Sequence, residues 1–236
     1  MGSFVDKLSL IIQVAVYLPY TIYFNFHYLP WKQAILLPIW LYKPKLRKCK
    51  GTVRLNGVLR SGVVKLGFKT VSLYPNNGIM WESEGDVTFN GFVNIGNDSY
   101  ISTGNNSVLS FGNGFRATCG FKLACYNNIE FGNDVLIGWD CIFTDTDFHS
   151  LRTPTGQSKG YGNIKIGSNS WIAMKTICLK NSIISDNCVV AANSLLNHDY
   201  SKEGQKLLIM GSPAVVRKHG VYHDRYNDKI SYKSDN

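Results

Sequence analysis

The chain has 236 residues, of which 44% are hydrophobic, and a formal net charge of +9 at pH 7. This length suits one domain with appendages, and the apolar content is sufficient for a large core. Its six cysteines form no CxxC pair and no other zinc-like spacing. They argue against a zinc module and favour reduced thiols in the core of a cytosolic protein.

The positive charge is concentrated in the first third of the chain. Residues 1–70 hold eleven Lys and Arg residues and one acidic residue, Asp6. This asymmetry predicts a negatively charged partner, and anionic lipid headgroups, nucleic acid and an acidic glycan are the candidates. No RNA- or DNA-binding motif is visible, so we expect no nucleic-acid partner.

The N-terminal segment has the composition of a membrane-interfacial arm. Residues 8–31 carry no charge, and their length would allow a membrane span. Pro19 interrupts the stretch and polar side chains dilute it, which disfavours a span, and no secretory signal pattern is present. The basic segment KPKLRKCK follows at 43–50. We predict that residues 1–52 form an arm that lies on the inner face of the cell membrane. The alternative is a helical arm packed on the body, with its basic residues solvated.

From Val53 the chain is predicted to form short strands broken by glycines. A four-residue phrase (IGND, FGNG, FGND, IGSN) recurs at intervals of 16, 20 and 35 residues, at 95–98, 111–114, 131–134 and 166–169. If one turn of a coil takes about three six-residue units, the first two intervals are single turns. The third interval is one turn plus a loop expelled from the coil near residues 147–163.

A six-residue repeat follows at 166–195 and identifies the architecture. The five hexads are IGSNSW, IAMKTI, CLKNSI, ISDNCV and VAANSL. The first position is always apolar and the fifth is always small, a period that fits neither a helix nor a simple strand. It predicts a parallel β-helix over 53–199, in which each hexad forms one side of a triangular coil. Residues 200–236 are then a closing segment and tail.

The expelled loop carries the candidate catalytic residue. It opens with TDTDFHSLRTP at 144–154, and His149 is the one histidine between residue 53 and His198. Long loops on a regular scaffold are common places for function. Because His149 follows Asp145 and Asp147, we predict that it is functional.

Taken together, these features resemble the hexapeptide-repeat acyltransferases. The resemblance rests on the hexads, the loop TDTDFHS and the closing GSPAVVRK at 211–218, and it covers about residues 85–218. The segment YFNFHYLPWKQAILLPI at 23–39 is similar to members associated with capsule or lipopolysaccharide gene sets. The resemblance implies an all-β, left-handed parallel β-helix and a homotrimer with its active sites between subunits. It also implies O-acetyl transfer from acetyl-CoA, with no metal, to a hydroxyl that is commonly on a sugar.

The same resemblance implies roles for individual residues. His149 takes the position of the general base, and Asp147 and Asp145 orient it or contact the acceptor; we assign Asp147 to the catalytic pair and Asp145 to acceptor binding. Backbone groups at Met174 and Ala192 take the positions that contact the CoA arm. Two basic residues of the closing motif, Arg217 and Lys218, are available to the CoA phosphates.

Three other functions remain as alternatives. A metal enzyme on this fold, such as a γ-type carbonic anhydrase, needs three converging histidines, and the coils offer one before His198. A non-catalytic β-helical scaffold would not need a loop histidine beside acidic residues. An acetyltransferase that acts on a small molecule, such as an antibiotic or a free sugar, would carry the same motifs.

Overall fold

The computed structural model describes residues 12, 15–225 and 227–228, and it consists of a coil whose strands form three sheets. Strands are numbered along the chain. Sheet A contains β1 (Ile39–Leu41), β4 (Val64–Phe68), β7 (Val93–Gly96), β10 (Phe115–Ala117), β13 (Leu136–Ile137), β18 (Trp171–Ile172), β21 (Val189–Val190), β23 (Leu207–Gly211) and β24 (Ala214–His219). Sheet B contains β2 (Pro44–Cys49), β5 (Ile79–Ser83), β8 (Ser99–Thr103), β11 (Lys122–Cys125), β14 (Ile142–Thr144), β19 (Ile177–Leu179) and β22 (Leu195–Leu196). Sheet C contains β3 (Thr52–Asn56), β6 (Asp86–Asn90), β9 (Val108–Phe111), β12 (Asn128–Phe131), β17 (Asn163–Ile166) and β20 (Ile183–Ile184).

Each turn of the chain passes from sheet A to B to C, so the fold has three edges, named here A/B, B/C and C/A. Neighbouring strands within each sheet are parallel, except that β24 returns antiparallel to β23. The predicted fold class, an all-β left-handed parallel β-helix with an expelled loop, is confirmed.

The six-residue period follows from one backbone conformation at each corner. The fourth residue of all five hexads lies in the left-handed region, with φ between 56° and 68°. Four of the five are asparagine, which tolerates this region, and the fifth is Lys175. The first residue of every hexad and the small fifth residue are buried. Each hexad therefore supplies one inward apolar side chain and one tight corner.

Aromatic side chains fill the upper coils, where upper means toward the N-terminal end of the β-helix and lower means toward its C-terminal end. The rings of Phe89, Phe111 and Phe131 stack at successive levels, with centroids 5.4 Å apart and interplanar angles of 11° and 3°. All three side chains are buried in the main hydrophobic cluster. The six cysteines are free, and all except Cys49 are buried, as expected for thiols used as core residues.

The coil begins earlier than the sequence indicates. β1 and β2 lie inside the segment assigned to the N-terminal arm, so the coil starts at Ile39 rather than at Val53. The basic cluster at 43–50 is largely the outward side of β2. Lys48 pairs with Glu82 and Glu84 of the next coil, and Lys50 pairs with Glu84. Part of the positive charge attributed to a membrane arm is therefore neutralised within the sheet.

Within the residues that the structure describes, two short helices from Leu18 onward close the upper, N-terminal end of the coil. They are α1 (Leu18–Tyr28) and α2 (Trp31–Ala34). β1 is the edge strand of sheet A, and one of its sides has no neighbouring strand. The buried Asn25 of α1 supplies hydrogen-bond partners on that side. Its Oδ1 accepts from Ile39 N at 3.1 Å and its Nδ2 donates to Ile39 O at 2.7 Å. Thr21 Oγ1 accepts from Leu41 N at 3.1 Å. The polar face of α1 thus caps the edge of sheet A.

Two loops leave the coil. The predicted one departs at the B/C edge after Thr144, returns at Asn163, and contains a hairpin of β15 (Arg152–Thr153) and β16 (Gly156–Gln157). The second, at 69–78, departs from the A/B edge between β4 and β5 and was not foreseen.

The closing segment continues sheet A. After a 3₁₀ turn at Ser201–Glu203, β23 and β24 form its last two strands. The chain then rises along the C/A edge, where Arg225 pairs with Asp134. Across the residues that the structure describes, helices are too short or too polar to cross a bilayer.

Candidate active site

His149 lies on the expelled loop at the B/C edge. Its side chain is exposed, and the space around it, about 320 Å³, is also lined by Phe148, Lys159 and Tyr161. Phe148 has a φ of 57° and packs edge-on against Tyr126 of the coil, with centroids 4.9 Å apart. This contact fixes the start of the loop and leaves the His149 ring accessible.

Asp145 anchors the loop instead of facing an acceptor. The residue is fully buried, and its two carboxylate oxygens accept hydrogen bonds from Tyr126 N at 2.7 Å and Asn127 N at 2.8 Å. Burial raises the pKa of this carboxyl, and the two backbone donors oppose that shift. The acceptor-binding role predicted for Asp145 does not fit this geometry, because both oxygens are used and neither reaches the surface.

Asp147 is exposed and pairs with Lys180 of the following coil. The predicted partnership between Asp147 and His149 is therefore not made within this chain. Lys180 was missed by the sequence analysis, although it occupies the B/C edge directly beneath the loop. The ion pair ties the loop to the coil close to the histidine.

Met174 and Ala192 lie at the A/B edge, in neighbouring coils. Together they line an apolar groove of about 610 Å³ on the lower part of sheet A. Other lining residues include Leu136, Trp139, Trp171, Val189, Val190 and Leu208. Within the described part of the chain, the backbone N–H groups of Met174 and Ala192 make no hydrogen bond. The groove thus combines an apolar wall with open backbone donors.

Arg217 and Lys218 extend the groove downward. Both side chains are exposed on β24, and Lys218 is registered with Leu208, which lines the groove. Three strand spacings separate β23 from β13, a distance of about 14 Å. The structure therefore places the basic pair on the outer face of sheet A below the groove, in the half of β24 that lies toward the C/A edge and not at the A/B edge with Met174 and Ala192.

His149 does not join this group in a single chain. It lies at the B/C edge, whereas Met174 and Ala192 lie at the A/B edge, on the other side of sheet B. The two edges are separated by one side of the coil, on the order of 15–20 Å. His149 follows β14, however, so it belongs to the same coil as Trp139 and lies at nearly the same height.

No group of three or more His, Cys, Asp or Glu side chains in the described part of the chain is arranged to hold a metal ion.

The wall of the groove that contains Trp139 and Trp171 was missed by the sequence analysis. Trp139 directly precedes the corner residue Asp140, whereas Trp171 lies two residues after the corner residue Asn169, inside β18. Their convergence depends on packing between coils and cannot be read from the local sequence.

No family model and no curated protein match the chain. Solved structures resemble it over most of its length. The polySia-specific acetyltransferase NeuO has 16% identity and a TM-score of 0.49 over 82% of this chain and 76% of that chain. The polysialic acid O-acetyltransferase OatWY has 18% identity and a TM-score of 0.42 over 83% and 79%. A hexapeptide transferase family protein from Anaplasma phagocytophilum has 14% identity and a TM-score of 0.38 over 75% and 78%. These values do not identify the substrate of this chain. By their names, two of these neighbours are acetyltransferases and the third is a hexapeptide transferase, which agrees with the resemblance found in the sequence.

Proposed function

We propose that the protein is an O-acetyltransferase that moves the acetyl group of acetyl-CoA to a hydroxyl of a sugar, in the synthesis of a surface polysaccharide. The observation that carries this proposal is the groove at the A/B edge, with its open backbone donors at Met174 and Ala192. Sugar-directed acetyltransferases among the structural neighbours agree with it.

The groove fits the donor substrate in shape and charge. The pantetheine arm of CoA is a narrow, mostly apolar chain with amides, and these suit an apolar wall with free N–H groups. Arg217 and Lys218 lie at the lower end, where they can pair with the phosphates. The thioester then points up the edge, toward the level of Trp139.

A homotrimer completes the site. The outward face of sheet C is polar and carries ion pairs such as Arg54–Asp86 and Lys165–Glu130. The lower outward face of sheet B instead carries a column of apolar residues, Ile142, Ile177 and Leu195. We assign this column to contact with other copies around a threefold axis. When three B faces turn inward, the A/B edge of one subunit lies beside the B/C edge of the next.

This arrangement brings the His149 of one subunit to the groove of its neighbour. A rotation about the axis preserves height, and His149 and Trp139 belong to the same coil. The thioester end of the donor then lies between the groove and the histidine. The donor groove and the general base lie at different edges of one chain, and the trimer therefore brings them together.

The chemistry is direct transfer. The imidazole of His149 accepts the proton of the acceptor hydroxyl as the oxygen attacks the thioester carbonyl. The new C–O bond forms, the C–S bond breaks, and the proton passes to the CoA sulfur. Buried cysteines take no part, because burial raises the pKa of Cys125, Cys141 and Cys178 and keeps them as thiols. The Asp147–Lys180 pair holds the loop while the histidine changes charge.

The test of this function is the replacement of His149 by alanine. Release of CoA thiol is measured with acetyl-CoA and sugar acceptors, and transfer should fall by roughly 10²–10⁴-fold. His27→Ala is the matched control, because His27 lies on α1 at the far end of the coil. Near-normal transfer by a folded His149→Ala variant would remove the residue from the mechanism. A wild-type protein that binds no acetyl-CoA would instead support the scaffold alternative.

We also propose that the upper end of the protein attaches to an anionic membrane surface, where it meets a lipid-linked acceptor. The outward face of the two helices is aromatic: Tyr23, Phe26 and Trp31 are 51%, 53% and 66% exposed. The polar residues Thr21 and Asn25 point inward, so α1 is apolar toward solvent. Exposed Lys32, Lys43, Lys45 and Arg47 lie nearby in the chain. Aromatic side chains beside basic ones favour the headgroup region of a bilayer.

Liposome co-sedimentation tests the attachment. Deleting residues 1–50 would remove β1 and β2 from the coil, so the better variant is Phe26→Ser with Trp31→Ser. It should pellet much less than the wild type with anionic vesicles, and binding by the wild type should weaken as salt rises. Equal pelleting of the two proteins would contradict the proposal.

A further inference from the structure

The unforeseen loop at 69–78 folds down the A/B edge over three coils. Asn97 holds it at two points, because its Oδ1 accepts from Thr70 N at 3.1 Å and its Nδ2 donates to Pro75 O at 2.7 Å. Lys43 Nζ donates to Asn76 O at 2.9 Å at the far end of the loop. The loop is therefore fixed to the corner of the coil.

Its tip brings Tyr74 to a carboxylate and an indole. Tyr74 Oη donates to Asp140 Oδ2 at 2.7 Å, and its ring lies 5.8 Å from the Trp139 ring at an angle of 59°. The hydrogen bond to Asp140, with some burial, raises the pKa of Tyr74 to about 12. The phenol thus remains a hydrogen-bond donor across the physiological range.

The A/B corner packs closely around the Asp140 side chain. Its Oδ1 faces Gly120, where a Cβ atom would come within 2.3 Å. The indole N–H of Trp139 has no hydrogen-bond partner within the described residues. Trp139 also lines the upper end of the groove, so the cluster of Tyr74, Trp139 and Asp140 adjoins the place where the donor thioester is proposed to lie.

We propose that the Tyr74–Trp139–Asp140 cluster is the acceptor subsite and that it binds a neutral sugar ring. This inference rests on the proposed function and on its ring of three subunits. Trp139 and Asp140 belong to the same coil as the root of the His149 loop, so rotation about the threefold axis sets the cluster opposite the neighbour's histidine. The indole offers an apolar face to the C–H groups of a sugar, and Asp140 accepts from its hydroxyls. A carboxylate at this point disfavours an acidic ring, because like charges repel.

The experiment separates acceptor binding from donor binding. Acetyl transfer is measured with methyl glycosides as probes: neutral hexosides, an N-acetylhexosaminide and a uronide. Asp140→Asn should raise the KM for the best neutral acceptor about tenfold or more, and Tyr74→Phe should raise it about 3- to 10-fold. The KM for acetyl-CoA should not change in either variant. Tyr100→Phe is the matched control, since it removes another tyrosine–aspartate contact, to Asp98, on a higher coil.

Each outcome bears on a different claim. An unchanged acceptor KM in both variants, with normal folding and assembly, would overturn the subsite. A uronide that is a better acceptor than the neutral hexosides for the wild type would overturn the neutral class. Failure of the wild type to acetylate any glycoside would contradict the proposed function itself.

Discussion

Replacing Asn25 by alanine tests how the coil is closed at its upper end. The substitution removes the partners of both Ile39 N and Ile39 O, and Ile39 is fully buried. A buried polar backbone group without a partner costs about 1–3 kcal/mol. Two such groups should lower the free energy of unfolding by about 2–6 kcal/mol, near the upper end of the range for single substitutions.

The assay is urea unfolding followed by far-UV circular dichroism, at one fixed protein concentration because assembly adds to stability. The midpoint should fall by about 1 M or more. Asn56→Ala is the matched control: Asn56 is exposed and its amide donates to Asn90 Oδ1 at 2.9 Å. This control should stay within about 0.5 kcal/mol of the wild type. Equal stability of the Asn25 and Asn56 variants would refute the idea that α1 satisfies the edge of β1.

Three further predictions concern the loops and corners. Asp145→Ala leaves Tyr126 N and Asn127 N without partners, so limited proteolysis within residues 148–160 should accelerate. Acetyl-CoA binding, measured by calorimetry, should stay unchanged. A wild-type cleavage pattern would contradict the anchoring role of Asp145. At Asn181, where φ is 68°, alanine should destabilise by about 1–2 kcal/mol and glycine by clearly less, and equal effects in thermal unfolding would count against the corner argument. The raised pKa of Tyr74 means that its bond to Asp140 stabilises the fold below the ordinary tyrosine pKa near 10, and that this contribution is lost as pH rises through about 12. Ultraviolet titration should therefore show one fewer tyrosine ionising near pH 12 in Tyr74→Phe, and identical titration curves would refute the assignment.

The lower coils could be predicted from sequence because every hexad repeats the same corner. Asn169, Lys175 and Asn181 mark three consecutive corners at one spacing, and no loop interrupts them. The upper coils lack this regularity. β2 and β4 each contain a register shift, and the loop at 69–78 breaks the period. The basic residues at 43–50 therefore belong largely to strand β2 of the coil, which the local sequence did not indicate.

The candidate site was predictable in part for a similar reason. His149 could be found because it belongs to a local interruption of a regular repeat. The partners of the two aspartates could not, because burial of Asp145 and the pairing of Asp147 with Lys180 depend on contacts between coils. The contact between Tyr74 and Asp140 joins residues 66 positions apart, and no local sequence pattern predicts it.

The shared active site can be tested most directly with mixed trimers. His149→Ala removes the base but keeps the groove, and Ala192→Trp blocks the groove but keeps the base; each variant alone should be nearly inactive. After the two are unfolded together in equal amounts and reassembled, about one quarter of the sites should combine an intact groove with a neighbour's intact histidine. Recovery of about a quarter of wild-type transfer is the predicted result. Absence of recovery in hybrids that are shown to be trimers would contradict a site built from two subunits.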